Sequence, residues 1–177
     1  MKKSLYAFVL IAVCTLGALS AQAANTPKLI GTHNSWKAYS FVDKGEKVCF
    51  MSSQPQKQKG KFKKRGEVFF FITHWSGDKE KNVVSISNGY AFKPDSQVTV
   101  KIDGKSFQLF TQGEMAWTKD QSVDDALTAA LQKGSSLTVS GLSKFGTETT
   151  DTYNLKGSGD AYQTVTKECS NTPQVQK

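Results

Sequence analysis

The sequence predicts an all-β domain of antiparallel strands, arranged as a sandwich or a barrel, with one or two short helices. Three observations lead there. Nine short runs rich in β-branched and aromatic residues alternate apolar and polar positions. The first clear helical periodicity comes only after seven of them. Asp103-Gly104, between two runs, accommodates the positive φ angles of a type I′ hairpin turn. Strands in series, without alternating helices, argue against a parallel α/β sheet. The 177 residues, with 38% hydrophobic and 21% charged side chains, fit one globular domain. A mean hydropathy of -0.41 excludes a multi-span membrane protein.

Residues 24–34 contain Pro27, show no periodicity and read as a flexible leader. The domain is expected over 35–170. Its first strands are Ser35–Val42 (SWKAYSFV), Lys47–Ser52 (KVCFMS), Glu67–His74 (EVFFFITH) and Val83–Ser87 (VVSIS), followed by an Asn88-Gly89 turn signal. Gln97–Ile102 and Ser106–Thr111 flank Asp103-Gly104, and Glu114–Thr118 (EMAWT) is the seventh strand. In Ser122–Lys133, Val123, Ala126, Leu127, Ala130 and Leu131 recur at helical spacing; Ser122 and Asp125 form a capping box and Gly134 is the stop. Ser136–Leu142 and Thr147–Leu155 are the last two strands. From Ser158, the spacing of Ala161, Tyr162, Val165 and Cys169 predicts a second short helix that turns the cysteine inward. Residues 171–177 read as a disordered tail.

The N-terminus has the form of a secretory signal: Lys2 and Lys3, a mostly apolar stretch over 4–19, then Ala21-Gln22-Ala23, with cleavage expected after Ala23. Segment 1–23 therefore addresses the chain to the periplasm or the outer membrane. Of three cysteines, Cys14 leaves with the signal, so Cys49 and Cys169 alone reach an oxidising compartment, where they are expected to pair. A metal pair or a reactive thiol is the rival reading. No further Cys or His stands at zinc-ligand spacing, and no metal is expected. There are 23 basic against 15 acidic side chains. Once Lys2 and Lys3 are removed, Lys57, Lys59, Lys61, Lys63, Lys64 and Arg65 equal the remaining excess, with no acid among them.

Several local features fall in an order that resembles the invasion-associated locus B family of Gram-negative bacteria. They are Trp36, Cys49, Lys64-Arg65-Gly66, Gly89-Tyr90, Ala116-Trp117 and the helix ending at Gly134. Ser143 with Gly146-Thr147, Asp151-Thr152-Tyr153-Asn154-Leu155 and Cys169 complete the series. The resemblance spans roughly Ser35 to Cys169. It implies an exported, immunoglobulin-like β-sandwich of the periplasm or outer envelope without known enzymatic activity, associated in some pathogens with host-cell invasion. Many relatives place a further cysteine four residues after the first tryptophan; Ser40 stands there in this chain, which leaves one disulfide.

The expected activity is binding. If 57–63 is extended, Lys57, Lys59, Lys61 and Lys63 project to one side as a cationic strip, continued by Lys64 and Arg65. Such a strip suits lipopolysaccharide, anionic phospholipid or glycosaminoglycan, and peripheral membrane association is compatible with it. An envelope protein is the other expected partner; nucleic acid is disfavoured by export. The structural alternative is a solvated arm whose lysines protect an edge strand. Trp36 and Trp117 are expected in the core, while Trp75, at a strand end, is a candidate contact aromatic. Asp151 is unusual within a strand; it can shape a bulge, bond a neighbouring strand, or pair with a buried base such as Arg65. No nucleophile elbow, zinc helix or glycine-rich phosphate loop is present, so no catalytic or cofactor residue is assigned. The alternative class is a small periplasmic hydrolase or enzyme inhibitor with a loop-built site. Its mark would be His33 or His74 in a cleft beside a serine and a carboxylate.

Overall fold

The computed structural model describes residues 26–62, 64–76 and 80–170; the expected signal segment, residues 24–25, Lys63, residues 77–79 and the expected tail lie outside them. Among the described residues eleven strands and two helices follow one another, beginning with β1 (Lys28–His33), β2 (Trp36–Asp43), β3 (Glu46–Ser53), β4 (Lys57–Lys59), β5 (Phe69–Trp75) and β6 (Val83–Ser87). Then come β7 (Gln97–Ile102), β8 (Lys105–Gln112), β9 (Met115–Trp117), α1 (Gln121–Lys133), β10 (Ser136–Leu142), β11 (Glu148–Asn154) and α2 (Ser158–Ser170). The fold is mainly antiparallel β with two short helices. All nine expected strands form.

Two strands were not expected. β1 lies within 24–34, which corrects the reading of that stretch as a leader. It pairs with β2 from Lys28↔Ser40 to His33↔Trp36, with a register shift between Leu29 and Gly31. Largely exposed and irregular, β1 shows no period-two pattern; the open edge of β2 is what orders it. The three-residue β4 pairs with β11 through Thr150↔Lys59, Asp151↔Gln58 and Thr152↔Lys57.

The strands make one continuous ladder in the order β1-β2-β3-β5-β6-β9-β8-β7-β10-β11-β4. Its two halves face each other. Phe70 of β5 meets Tyr153 of β11 edge-on at 6.0 Å, and Trp36 of β2 donates from Nε1 to the Asn154 carbonyl at 3.0 Å. The core between them holds Trp36, Met51, Phe70, Ile72, Leu109 and Tyr153, all essentially without exposure. Each such large apolar side chain contributes about 1.5–3 kcal/mol by leaving water. The β7–β8 turn is as expected, with Asp103 at φ 43 and Gly104 at φ 90. The Asp103 carboxylate also accepts from the Ser135 and Ser136 amides at 2.8 and 3.2 Å, joining this turn to the start of β10.

Helix α1 begins one residue earlier than expected, and its cap differs. Asp120, not Ser122, accepts from the Val123 amide at 3.1 Å, and Ser122 Oγ donates to the same carboxylate at 2.6 Å. Asp125 is taken instead by Asn82, whose Nδ2 donates to it at 2.7 Å. Gly134 ends the helix in extended conformation, φ -79 and ψ 167, so it does not act through a left-handed cap. A Cβ there would lie 2.6 Å from Ile102 Cγ2 and 2.9 Å from Leu155 Cδ1, so close packing requires the glycine. Asp124 is buried and accepts from the Val84 amide at 2.8 Å and Thr118 Oγ1 at 2.6 Å, fastening α1 to β6. Helix α2 buries Ala161, Val165 and Cys169 as its spacing predicts. Cys169 forms the disulfide with Cys49 of β3, 120 residues away, at a Cα–Cα distance of 5.8 Å.

Candidate functional site

The basic arm begins at β4, one edge of the sheet. Lys57 and Lys59 stand on the outward side opposite Thr152 and Thr150; with Lys61 and Lys64 they are exposed. Lys63, the remaining lysine of the expected strip, lies outside the described residues. Beside the arm is the hairpin joining β10 to β11. Its tip carries Phe145, 85% exposed, with the Lys144 ammonium 5.1 Å from the ring centroid. A cleft of about 430 Å³ lies between arm and hairpin, lined by Lys61, Phe62, Lys64, Tyr90, Phe145 and Thr149 among others. Phe62 is 38% exposed at its rim. Aromatic walls with two ammonium groups suit a ligand that is apolar at one end and anionic at the other.

Arg65 leaves the strip. Its side chain is 2% exposed and forms a fork with Asp151, which is fully buried: Nη1 donates to Oδ1 at 2.7 Å and Nη2 to Oδ2 at 2.5 Å. Nε donates to the Asn88 carbonyl at 2.7 Å, and the Phe62 and Tyr90 rings lie 5.3 and 5.2 Å from the guanidinium carbon. All three guanidinium nitrogens are thus engaged inside the fold, and Arg65 is corrected from an anion-contacting residue to a structural one. The same pairing explains Asp151 inside a strand. The approach depends on Gly66 and Gly89: the Gly66 amide donates to the Gly89 carbonyl at 2.8 Å, and Gly89, at φ +67, has no room for a Cβ against the Gly66 carbonyl. Lys64-Arg65-Gly66 and Gly89-Tyr90 therefore belong to one arrangement.

The tryptophans divide differently from expectation. Trp36 is in the core, with no exposure. Trp75 ends β5 half-buried on its outward side, cross-strand from Val48. Trp117, expected inside, points outward with Ser85 on one flank and Phe110 on the other; the inward position of β9 belongs to Ala116. Other outward aromatics are Tyr39, Phe41, Phe50, Phe69 and Phe71, all half-buried. This face was not anticipated, although a signal for it exists. In SWKAYSFV and EVFFFITH aromatic residues occupy the outward as well as the inward parity, as in strands covered on both sides.

His74 lies at 3% exposure on the inward side of β5, cross-strand from Cys49, with the Tyr162 ring edge-on at 5.4 Å. Its Nδ1 accepts from the Asn82 amide at 3.0 Å, so the neutral ring carries its proton on Nε2, 3.3 Å from Thr166 Oγ1. Burial, assisted by the charge of Lys81, lowers its pKa from 6.5 to about 4. Between those values the unfolded chain takes up a proton that the folded chain refuses. Stability is full above the unfolded pKa and falls as pH drops toward the folded one, by about 3 kcal/mol. Urea unfolding between neutral pH and pH 4 measures this, and His74→Gln is expected to flatten the slope; an unaltered slope would assign the loss to other groups. His33 Nε2 lies 3.0 Å from Thr164 Oγ1. Among the described residues no carboxylate is hydrogen-bonded to either imidazole, and no cluster of three His, Cys, Asp or Glu side chains could hold a metal ion. No described helix is long and apolar enough to cross a membrane.

The family model described as "Invasion associated locus B (IalB) protein" matches residues 36–166. Among solved structures, the chain is similar to the crystal structure of invasion associated protein B from Bartonella henselae. The TM-score is 0.55 at 18% identity, covering 78% of this chain and 95% of that one. The comparison with curated proteins gives no match. A family match across most of the β fold, joined to the same architecture in a crystal structure, establishes that the chain belongs to the invasion associated locus B family.

Proposed function

We propose that the protein is exported to the cell envelope and acts by binding, its arm of lysines over 57–64 engaging an anionic polymer or surface of the envelope or of a host cell. The observation that carries this reading is the meeting of solvated lysines with two exposed phenylalanines, Phe62 and Phe145, at one end of the sheet. Edge protection alone accounts for lysines on β4. It gives no reason for an aromatic ring 85% exposed at the neighbouring hairpin tip. The disulfide supports an oxidising compartment. A role at the host interface, which the Bartonella protein's name suggests for that protein, would follow here from attachment to an anionic cell surface.

The test is retention on immobilised lipopolysaccharide and on heparin at physiological salt. Lys57, Lys59, Lys61, Lys63 and Lys64 are changed to glutamine while Arg65 is left intact, because Arg65 holds the fold. At about 1 kcal/mol for each lysine near an anionic surface, the variant is expected to lose well over tenfold in affinity. Phe145→Ser should weaken the lipopolysaccharide interaction and leave heparin unaffected. Unchanged retention of the lysine variant on both supports would reject this reading.

A further inference from the structure

On the outward face of six consecutive strands, β2, β3, β5, β6, β9 and β8, aromatic side chains stand on every strand but β6, where Ser85 interrupts the row. Cross-strand register sets Tyr39 beside Phe50, Phe71 beside Ser85, Ser85 beside Trp117, and Trp117 beside Phe110. The rings touch in sequence: Tyr39 and Phe50 stack at 5.0 Å, Phe50 and Phe71 meet edge-on at 6.1 Å, and Phe71 and Phe69 are tilted at 5.5 Å. Both helices lie against the other side, α2 through the disulfide to inward Cys49 and α1 through Leu127 and Leu131 in the core. A sheet with one solvated face alternates apolar-in with polar-out. A wall of aromatic side chains at outward positions marks an interaction surface.

We propose that this wall is the contact surface between two copies of the chain, packed about a two-fold axis with β2 of one copy antiparallel to β2 of the other. Charge at the rim selects this partner. Lys37 and Asp43 are both exposed on the outward side of β2, six residues and about 20 Å apart, one at each end of the wall. The two-fold arrangement brings Lys37 over Asp43 of the partner subunit, and the reciprocal pair forms at the other end, which is the self-complementarity an isologous interface requires. The size is compatible. Six strands at ~4.8 Å spacing and ~20 Å of strand length give on the order of 500 Å² per copy, or about 1,000 Å² in the pair, the lower limit for a specific interface.

Other occupants fit less well. Tyr39 and Phe50 already cover each other's ring faces, so this pair offers ring edges, which interlock with another aromatic surface better than they stack on sugar rings. A bilayer would attract Lys37 at one end of the rim and repel Asp43 and Glu46 at the other, whereas a second copy complements both ends. The lysine arm leaves the wall at the end of β3, Lys57 standing four residues beyond Ser53, and Lys57–Lys59 pair with β11, which is not a strand of the wall. A dimer through the wall carries two arms.

Sedimentation equilibrium of the exported chain, residues 24–177, from micromolar to millimolar concentration, is expected to show monomer and dimer in exchange with a dissociation constant on the order of micromolar. Lys37→Asp should weaken the dimer at least about tenfold by opposing like charges, and Lys37→Asp combined with Asp43→Lys should restore it. Phe50→Ser should leave only monomer, with the β-sheet circular dichroism retained. Trp75 and Trp117, on the outward side, should report association through a blue shift in emission that grows with concentration; Trp36 is already buried and contributes no change. A chain monomeric throughout, or a dimer indifferent to both Lys37→Asp and Phe50→Ser, overturns the proposal. An emission shift that requires phosphatidylglycerol vesicles and is independent of protein concentration also overturns it, and gives the wall to a membrane.

Discussion

Asp151→Ala is expected to cost about 3–5 kcal/mol of folding stability, because it leaves the Arg65 guanidinium buried without its counter-charge. The pair joins β11 to the segment leading into β5, and its side chains are 2% and 0% exposed. Asp151→Asn should cost nearly as much despite equal volume, since the lost quantity is charge. Removing both partners, as Arg65→Met with Asp151→Leu, should cost less than the sum of the single changes, because no charge is then stranded. Urea unfolding reads the effect as a lower midpoint at constant m-value. An Asp151→Ala variant within half of a kilocalorie of the parent would mean that water reaches the guanidinium and that this description of the pair is wrong. The outcome also guards the binding test, because a variant neutralising Arg65 along with the lysines would lose affinity through unfolding.

Replacing both Cys49 and Cys169 by alanine should cost between about 2 and 5 kcal/mol; for a loop closed over 120 residues the chain-entropy relation gives roughly 5. The bond ties the third strand to the last helix. Helix α2 is also held by buried Ala161 and Val165, by Tyr162, Thr164 and Thr166 against Asn82 and the two histidines, and by a partly exposed ion pair, Lys47 Nζ to Glu168 Oε1 at 2.9 Å, which contributes little. A domain of this size has only about 5–15 kcal/mol in total, so the loss is a large fraction of its margin. Thermal melts with and without reductant provide the control. Reductant should lower the parent's midpoint to that of the double-alanine variant and leave the variant unmoved. A parent insensitive to reductant under unfolding conditions would contradict a bond formed in the mature protein.

How much of this was legible depended on where the information resides. Asp103-Gly104 announces its turn because the required φ values are a property of those two residues. Cys169 could be placed inward because Ala161, Val165 and Cys169 share one helical face. Trp117 was misassigned because period-two alternation distinguishes two faces without naming the inner one; the packing of Ala116 decides that. Ser122 lost the cap to Asp120, since both are competent and Asn82 draws Asp125 away from the capping box. Arg65 was grouped with its lysine neighbours because a chain segment shows charge but does not show which distant carboxylate will meet it.

By itself the sequence determined nine of the eleven described strands and both helices, the handedness of the tight turn, the single pair of cysteines available to bond, and the concentration of positive charge in one segment. These follow from residue chemistry over a few positions, where backbone preference and side-chain spacing act locally. Tertiary structure alone decided that β1 and β4 join the sheet edges, that Arg65 is buried while Lys57, Lys59, Lys61 and Lys64 are solvated, and that a row of aromatics faces outward. Burial is a relation between segments far apart in the chain, such as Arg65 and Asp151, and it is settled only when the sheet bends its two halves together.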